Sequence, residues 1–325
     1  MVESTGLKTV VVTGGCGFAG RYLVMRLVAE GARVVILDKA VSLPSELESL
    51  AGSIALHRMD LTTPTGLAQI VESEMPSEVY HLAGIANVKH SWEGESLTYK
   101  VNLIGTVNLL AALKTVGVPA DVLVVGSGEV YGLVPEAEQP IREERQADPR
   151  SPYAASKLCQ EIAALQMSNH LKGRIVFVRP FNHIGAGQHP SFVTSDFARQ
   201  VARIERGEME PVIRVGNLQS YRDFTDVRDT MDAYVLALRL GEHRGIYNVC
   251  SGKTLRIDGI LEFFRSRSRR PIEIRIDPDK FRPADIPMLC GSYERLHRVT
   301  GWAPRRPIET ALEEILEHWR ARPGE

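Results

Sequence analysis

The sequence predicts an α/β protein: a doubly wound parallel sheet over residues 1–180 and a smaller α/β unit over 181–325, with part of 221–250 returning to the first. Three observations carry this reading. Short aliphatic runs alternate with amphipathic segments through the first half, and a glycine-rich turn joins the first run to the segment after it. After Pro180 that rhythm gives way to stretches rich in Gly, Pro and Arg.

The elements follow in order. KTVVVT (8–13) is a β-branched run and reads as a strand; after GGCGFAG, the segment RYLVMRLVAEG sets Tyr22, Leu23, Leu27 and Val28 at helical spacing. Gly31 stops that helix. ARVVILD, ending in Asp38, is a second strand and completes a βαβ unit, whose parallel pairing requires both sheet faces to be covered. SIALHRMD (53–60), SEVYHLAG (77–84), DVLVVGS (121–127) and RIVFVRP (174–180) repeat the strand pattern. Helices are predicted between them at 97–117 and 153–171. Beyond Pro180 stand one amphipathic helix, FVTSDFARQVARIERG (192–207), and a mixed tail ending in the helix PIETALEEILEHWRAR (307–322). No internal repeat, low-complexity tract or linker interrupts the chain.

At 325 residues the chain can bury a full core without a metal or disulfide staple. Its 39 Lys and Arg nearly cancel 40 Asp and Glu, so no overall field draws it to nucleic acid or to an anionic membrane. The partners to expect are small molecules or a second copy of the chain. Cys16, Cys159, Cys250 and Cys290 lack CxxC spacing and read as free thiols, with no metal site. The opening MVESTGLK has no long apolar core and no stretch approaches membrane-spanning length, so the expected location is the cytoplasm.

Gly14, Gly17 and Gly20, with Phe18 and Ala19 among them, form GxxGxxG directly after a strand and before a helix. The first glycine permits the turn, the second lets a pyrophosphate approach the backbone, and the third lets the helix pack closely. This is a Rossmann-type dinucleotide site. Asp38, eighteen residues past Gly20, is placed to bind the adenosine ribose hydroxyls, which favours NAD(H) over NADP(H). Lys39 follows at once and could neutralise a 2′-phosphate, which keeps NADP(H) open. Asp60, followed by Leu61, is placed either to receive the adenine or to cap a helix.

SPYAASK sets Tyr153 and Lys157 four residues apart on one helical face. A cation beside a phenol lowers its pKa and makes it a usable proton donor and acceptor. Ser127 ends a strand on the same side of the sheet, where ligands of parallel sheets bind.

Together GGCGFAG, Asp38, HLAG (81–84), Asn102, Ser127 and Tyr153 to Lys157 resemble the extended short-chain dehydrogenase/reductases, over almost the whole chain. The resemblance implies that the serine binds the reacting oxygen, the tyrosine exchanges its proton and the lysine holds the nicotinamide ribose. It adds Leu82, Ala83, Gly84 and Asn102 to the cofactor site. It also implies a homodimer built on the helices containing Asn102 and Tyr153, where Val101, Leu103, Ile104, Val107 and Leu110 form an apolar stripe that the core could equally absorb.

In the 4,6-dehydratases of that family a strand ends in Thr, Asp, Glu, the last two supplying acid and base. Here it ends in Ser127, Gly128, Glu129, and a glycine supplies no acid. Glu129 is left as a base, a substrate contact or a structural carboxylate. Because GDP-mannose dehydratases carry Ser in the middle position, a dehydratase stays open. The segments RPFNHIGAGQ, FVTSDFARQVARIE, VIRVGNLQSYRDFTDVRD, YNVCSG and RPADIPMLCGS resemble the GDP-4-keto-6-deoxy-D-mannose reductases of the family, which form GDP-rhamnose. That resemblance implies a GDP-sugar substrate, with Asn182 near the sugar phosphate, Val193 and Thr194 opening a helix over the nucleotide, and Arg222 and Arg282 on the diphosphate. Guanidinium forks suit phosphate oxygens. His183 reads as held by loop packing, since Tyr153 already fills the acid role. The rival readings are a lyase or 4-epimerase that recycles tightly bound NAD, and a non-catalytic dinucleotide module, whose mark would be a degraded Ser/Tyr/Lys set. Here that set is intact.

Overall fold

The computed structural model describes residues 8–280 and 286–324. Six strands run parallel in its first half: β1 (Thr9–Thr13), β2 (Arg33–Asp38), β3 (Ile54–Arg58), β4 (Glu78–His81), β5 (Asp121–Val125) and β6 (Ile175–Pro180). Each falls within a run that the sequence marks as a strand. The chain then enters a second unit through β7 (Asn182–Ile184), β8 (Val212–Val215) and β9 (Tyr221–Asp226), and comes back to the sheet with β10 (Ile246–Val249). The finished seven-stranded sheet has the order β10-β6-β5-β4-β1-β2-β3, and each pairing is parallel.

Successive side chains of a strand point to opposite faces, and here both faces are apolar. Val10 and Val12 pack with the helices Phe18–Ala29 and Val227–Leu240, whereas Val11 packs with Leu67–Glu74, Gly105–Val116 and Pro152–Met167 on the other side. The helix Pro152–Met167 starts sharply because Ser151 Oγ accepts from the Ala154 N–H and Pro152 needs no hydrogen-bond partner there. Gly117, at φ +71°, closes Gly105–Val116.

The second unit packs β7, β11 (Thr254–Arg256) and β13 (Met288–Leu289) around β9, while β8 pairs with β12 (Glu273–Ile276). Helices Val193–Arg206, Ile257–Ser266 and Ile308–Arg320 bury their apolar faces against these strands. Two sequence expectations are refined. The predicted helix 97–117 is present as one continuous helical run from Glu95 to Val116, with a π turn at Lys100–Ile104 inside it. The mixed tail also holds two helices besides the one that ends it, Val227–Leu240 and Ile257–Ser266. No helix among the described residues is long and apolar enough to cross a membrane.

One buried polar chain ties these layers together. Arg179 on β6 donates to both oxygens of Glu161, at 3.0 and 2.6 Å, and to the Tyr131 hydroxyl at 3.0 Å. Tyr131 in turn donates to Asn248 Oδ1 on β10 at 2.8 Å. The ion pair is 6% and 8% exposed, so removing one partner strands a charge in a medium that cannot solvate it. Glu161→Ala is expected to cost about 3–5 kcal/mol in urea unfolding. The double variant Glu161→Met with Arg179→Met should recover most of that loss; equal stability of Glu161→Ala and the native chain would contradict the assignment.

Candidate active site

A parallel sheet of this order reverses direction between β1 and β4, and ligands bind at the carboxyl edge of such a switch point. A cavity of about 860 Å³ opens there. At one end lies the glycine turn. Gly14 sits at φ +70°, and a Cβ on it would stand 2.9 Å from the Ala83 backbone; a Cβ on Gly20 would stand 2.1 Å from the Gly14 carbonyl oxygen. Gly17 precedes the helix Phe18–Ala29 without a side-chain cap, so the first N–H groups of that helix remain available to an anion.

Asp38, at the end of β2, accepts from the Cys16 N–H at 3.0 Å and the Ala40 N–H at 3.1 Å, which fixes its carboxylate beside the turn. Lys39 is paired with Asp60 at 3.1 Å. Asp60 also accepts from Thr62 N and Oγ1, at 2.9 and 2.8 Å, and these bonds hold its carboxyl below the usual range. Asp60 thus caps the turn at Thr62 rather than a helix, and it lines the cavity with Leu61.

Leu82, Ala83 and Gly84 form the wall after β4. Two buried groups set their position. His81 bridges Thr13 Oγ1 and Thr106 Oγ1, each at 2.7 Å, and burial pushes its pKa down to about 3, so it is neutral. Asn102, in the π turn, accepts from Ile85 N at 2.8 Å and donates to Ile85 O and Ser156 Oγ, at 3.1 and 2.8 Å. It does not line the cavity; it clamps the wall from behind. A Cβ on Gly84 would stand 2.8 Å from Asn102 Oδ1 and 3.4 Å from Lys157 Nζ, which is why that position is bare.

Ser127, Glu129 and Tyr153 line the other end. Burial pushes the Tyr153 phenol up to about 12; a hydrogen bond with Ser127 works against that rise and Glu129 adds to it. Burial lowers Lys157 to about 8, and its ammonium donates to Val125 O at 2.8 Å and Gln160 Oε1 at 3.1 Å. The expected depression of the tyrosine by its neighbouring lysine is thus reversed here, because desolvation outweighs the cation and Lys157 is turned to other oxygens. Gly128 has a packing reason: a Cβ there would stand 2.9 Å from the Phe181 ring. No side chain at 128 reaches the cavity without moving Phe181.

The second unit contributes Asn182, His183, Val193 and Thr194. Asn182 donates to Asp223 O at 3.3 Å. His183 stacks on Phe18, ring centroids 6.0 Å apart and nearly parallel, and burial lowers its pKa to about 4, which leaves it neutral and unsuited to donate a proton as an acid. Arg222 is buried on β9, where its guanidinium donates to Tyr221 O at 2.9 Å, and it is not among the cavity-lining residues described. Arg282 lies outside the described residues. Sequence reasoning missed Gln188, which donates to His183 O at 3.0 Å, and the Ile85–Val88 segment, both on the cavity wall. The one usable signal was Asn87, which caps the helix Val88–Glu93 through His90 N.

Residues 11–315 match the family described as GDP-mannose 4,6 dehydratase. A GDP-6-deoxy-D-mannose reductase of Pseudomonas aeruginosa is 39% identical over 96% of this chain and 97% of its own. Among solved structures, RMD from Pseudomonas aeruginosa complexed with NADPH superposes with a TM-score of 0.84 at 38% identity, covering 97% of this chain and 99% of its own. A Thermus thermophilus UDP-glucose 4-epimerase in complex with NAD gives 0.85 at 30% identity, covering 96% and 99%.

A carboxylate where Asp38 stands accepts ribose hydroxyls and repels a phosphate. Asp38→Ala is expected to shift the ratio of NADH to NADPH affinities toward NADPH in fluorescence titrations. An unchanged ratio would remove Asp38 from cofactor choice.

Proposed function

The chain belongs to the GDP-mannose 4,6-dehydratase family, and from that membership and the chemistry of its cavity we propose that it reduces the 4-keto group of GDP-4-keto-6-deoxy-D-mannose. The product is GDP-D-rhamnose or, if hydride arrives on the other face of C4, GDP-6-deoxy-D-talose. The observation that carries this reading is the reacting end of the cavity: a protonated tyrosine bonded to a serine, beside a position 128 closed to any acid by Phe181. Ketone reduction needs one proton donor and a site for the developing oxyanion, whereas elimination of water needs a further acid and base.

The residues present fit a nicotinamide dinucleotide, because the bare Gly17 and the Gly20 contact leave a cradle that a side chain would fill. Gly14, Gly17, Phe18, Ala19 and Gly20 would hold its pyrophosphate, Asp38 and Lys39 the adenosine ribose, Asp60 and Leu61 the adenine, and Lys157 the nicotinamide ribose. Bound there, it supplies the hydride. Tyr153 gives its proton to the C4 oxygen, which Ser127 also holds, and a phenol held near 12 stays loaded through the neutral range. Lys157 has one ammonium proton left after Val125 and Gln160, and its positive charge stabilises the phenolate that forms. Asn182, Val193 and Thr194 would flank the nucleotide sugar. We place the enzyme in the cytoplasm, with its reduced cofactor and free thiols.

Tyr153→Phe is expected to bind cofactor normally and to lose about 10²–10⁴-fold in turnover. The native protein should consume NADH or NADPH in stoichiometric amounts with GDP-4-keto-6-deoxy-D-mannose made in place by a separate dehydratase. Conversion of GDP-mannose by this protein alone, with no net cofactor loss, would overturn the reductase in favour of a lyase or epimerase and make Glu129 the residue to mutate.

We also propose a homodimer. Of the apolar stripe, Leu110 is absorbed by the core and Val101 lines the cavity, but Ile104 remains 43% exposed; Leu97, Ile162 and Leu165 on the same and the adjoining helix are exposed as well. Ile162→Arg is expected to yield monomers in analytical ultracentrifugation, and a native chain that sediments as a monomer would end the proposal.

A further inference from the structure

Asp223, on the central strand of the second unit's four-stranded sheet, is fully buried, and no cation among the described residues pairs with it. Instead five donors converge on it. Ser251 N and Oγ donate to Oδ1 at 2.7 and 2.6 Å, while Gly252 N, Gly291 N and Cys290 Sγ lie 3.0, 3.3 and 3.9 Å from Oδ2. These donors belong to two separate turns, one after β10 and one after β13. The strands that carry Asp223 and the second turn reach the cavity: Phe224, next on β9, and Leu289, on β13 two residues before Gly291, line it, and the Asp223 carbonyl receives the Asn182 amide.

We propose, building on the reductase reading, that Asp223 is a positioning residue for the nucleotide sugar: its carboxylate pins the 251–252 and 290–291 turns to β9 and so fixes the wall formed by Asn182, Phe224 and Leu289. The backbone pairings of β11 and β13 hold the strands beside these turns to β9, and the Asp223 carboxylate is the side chain that bonds both turns at once. Asp223 touches neither the reacting atoms nor the glycine turn, so it sets substrate affinity and leaves the chemical step alone.

Burial raises its pKa to about 6 against the pull of the Ser251, Gly291 and Gly252 bonds. The titratable groups facing it are the thiols of Cys250 and Cys290, both pushed upward and neutral, so Asp223 is the group that changes charge here. As pH falls through about 6, the carboxyl gains a proton, loses an acceptor and directs a donor at N–H groups.

Asp223→Asn keeps the shape but turns an NH₂ toward those donors. It is expected to weaken GDP-mannose binding at least tenfold in calorimetry and to raise KM for the keto sugar similarly, with kcat and NADH affinity unchanged. The native KM should climb below pH 6, and that of Asp223→Asn should stay flat between pH 5 and 8. Ser251→Ala, which removes a single donor, is the second variant and should move KM the same way by a smaller factor. Native GDP-mannose affinity retained in both variants overturns the inference, as does a parallel loss of kcat and NADH binding. Failure of the native protein to bind any nucleotide sugar instead sinks the reductase reading itself.

Discussion

Every strand of the main sheet is parallel to its neighbours, and this constraint fixes where chemistry can happen. A parallel strand can follow another only after the chain crosses back over a face, so all seven carboxyl ends reach one edge. The glycine turn, Asp38, the 82–84 wall, Ser127 and Asn182 each stand at, or start within two residues of, the carboxyl end of a strand of that set. They share a cavity because none has another edge to reach. The crossings also bury both faces, which is why strand interiors hold Val, Ile and Leu and the polar residues gather at the ends.

Phe181 joins the two units at the point where reactivity is decided. It occupies the space beside Gly128, and a Cβ on Gly291 would also meet its ring, at 2.6 Å. One ring therefore requires two glycines, one at the turn after β5 and one at the turn after β13. What a strand-end motif would report as a missing acid is, in three dimensions, a packing solution. The same turn is held from below by Tyr131, through Arg179 and Glu161, so the serine and the carboxylate that flank Gly128 sit on a rigid base.

The six strands of the first half were legible because each is a short aliphatic run, five of them buried on both sides and the edge strand β3 half-buried, a signal that survives without knowledge of its partners. The glycine turn and the Tyr/Lys spacing were legible for a similar reason, being local in sequence. Long-range features were not. Val227–Leu240 carries Val227, Met231, Tyr234 and Leu238 at helical spacing, yet it follows directly from a strand, with Asp226 both ending β9 and capping the helix, so the period changes with no turn residue to mark the junction. The π turn around Asn102 has no local signature, and its purpose appears only in the bonds to Ile85 and Ser156.

The electrostatics of the reacting end follow from the same burial. Desolvation favours the neutral form of every titratable group, raising Tyr153 and lowering Lys157 and His183. The tyrosine is therefore a poor base at rest and a loaded acid, and it needs help only once its proton has left. Lys157 stands at about 8, near enough to neutrality to keep its charge at pH 7. In a site of low dielectric one such charge acts strongly on an anion that appears nearby, because no water screens it. Ser127 binds the phenol in the resting state, so its hydroxyl is already aimed at the place where the oxyanion develops. Glu129 opposes that anion. A carboxylate in the wall raises the cost of a phenolate, and this keeps the proton on Tyr153 until a carbonyl oxygen is there to take it.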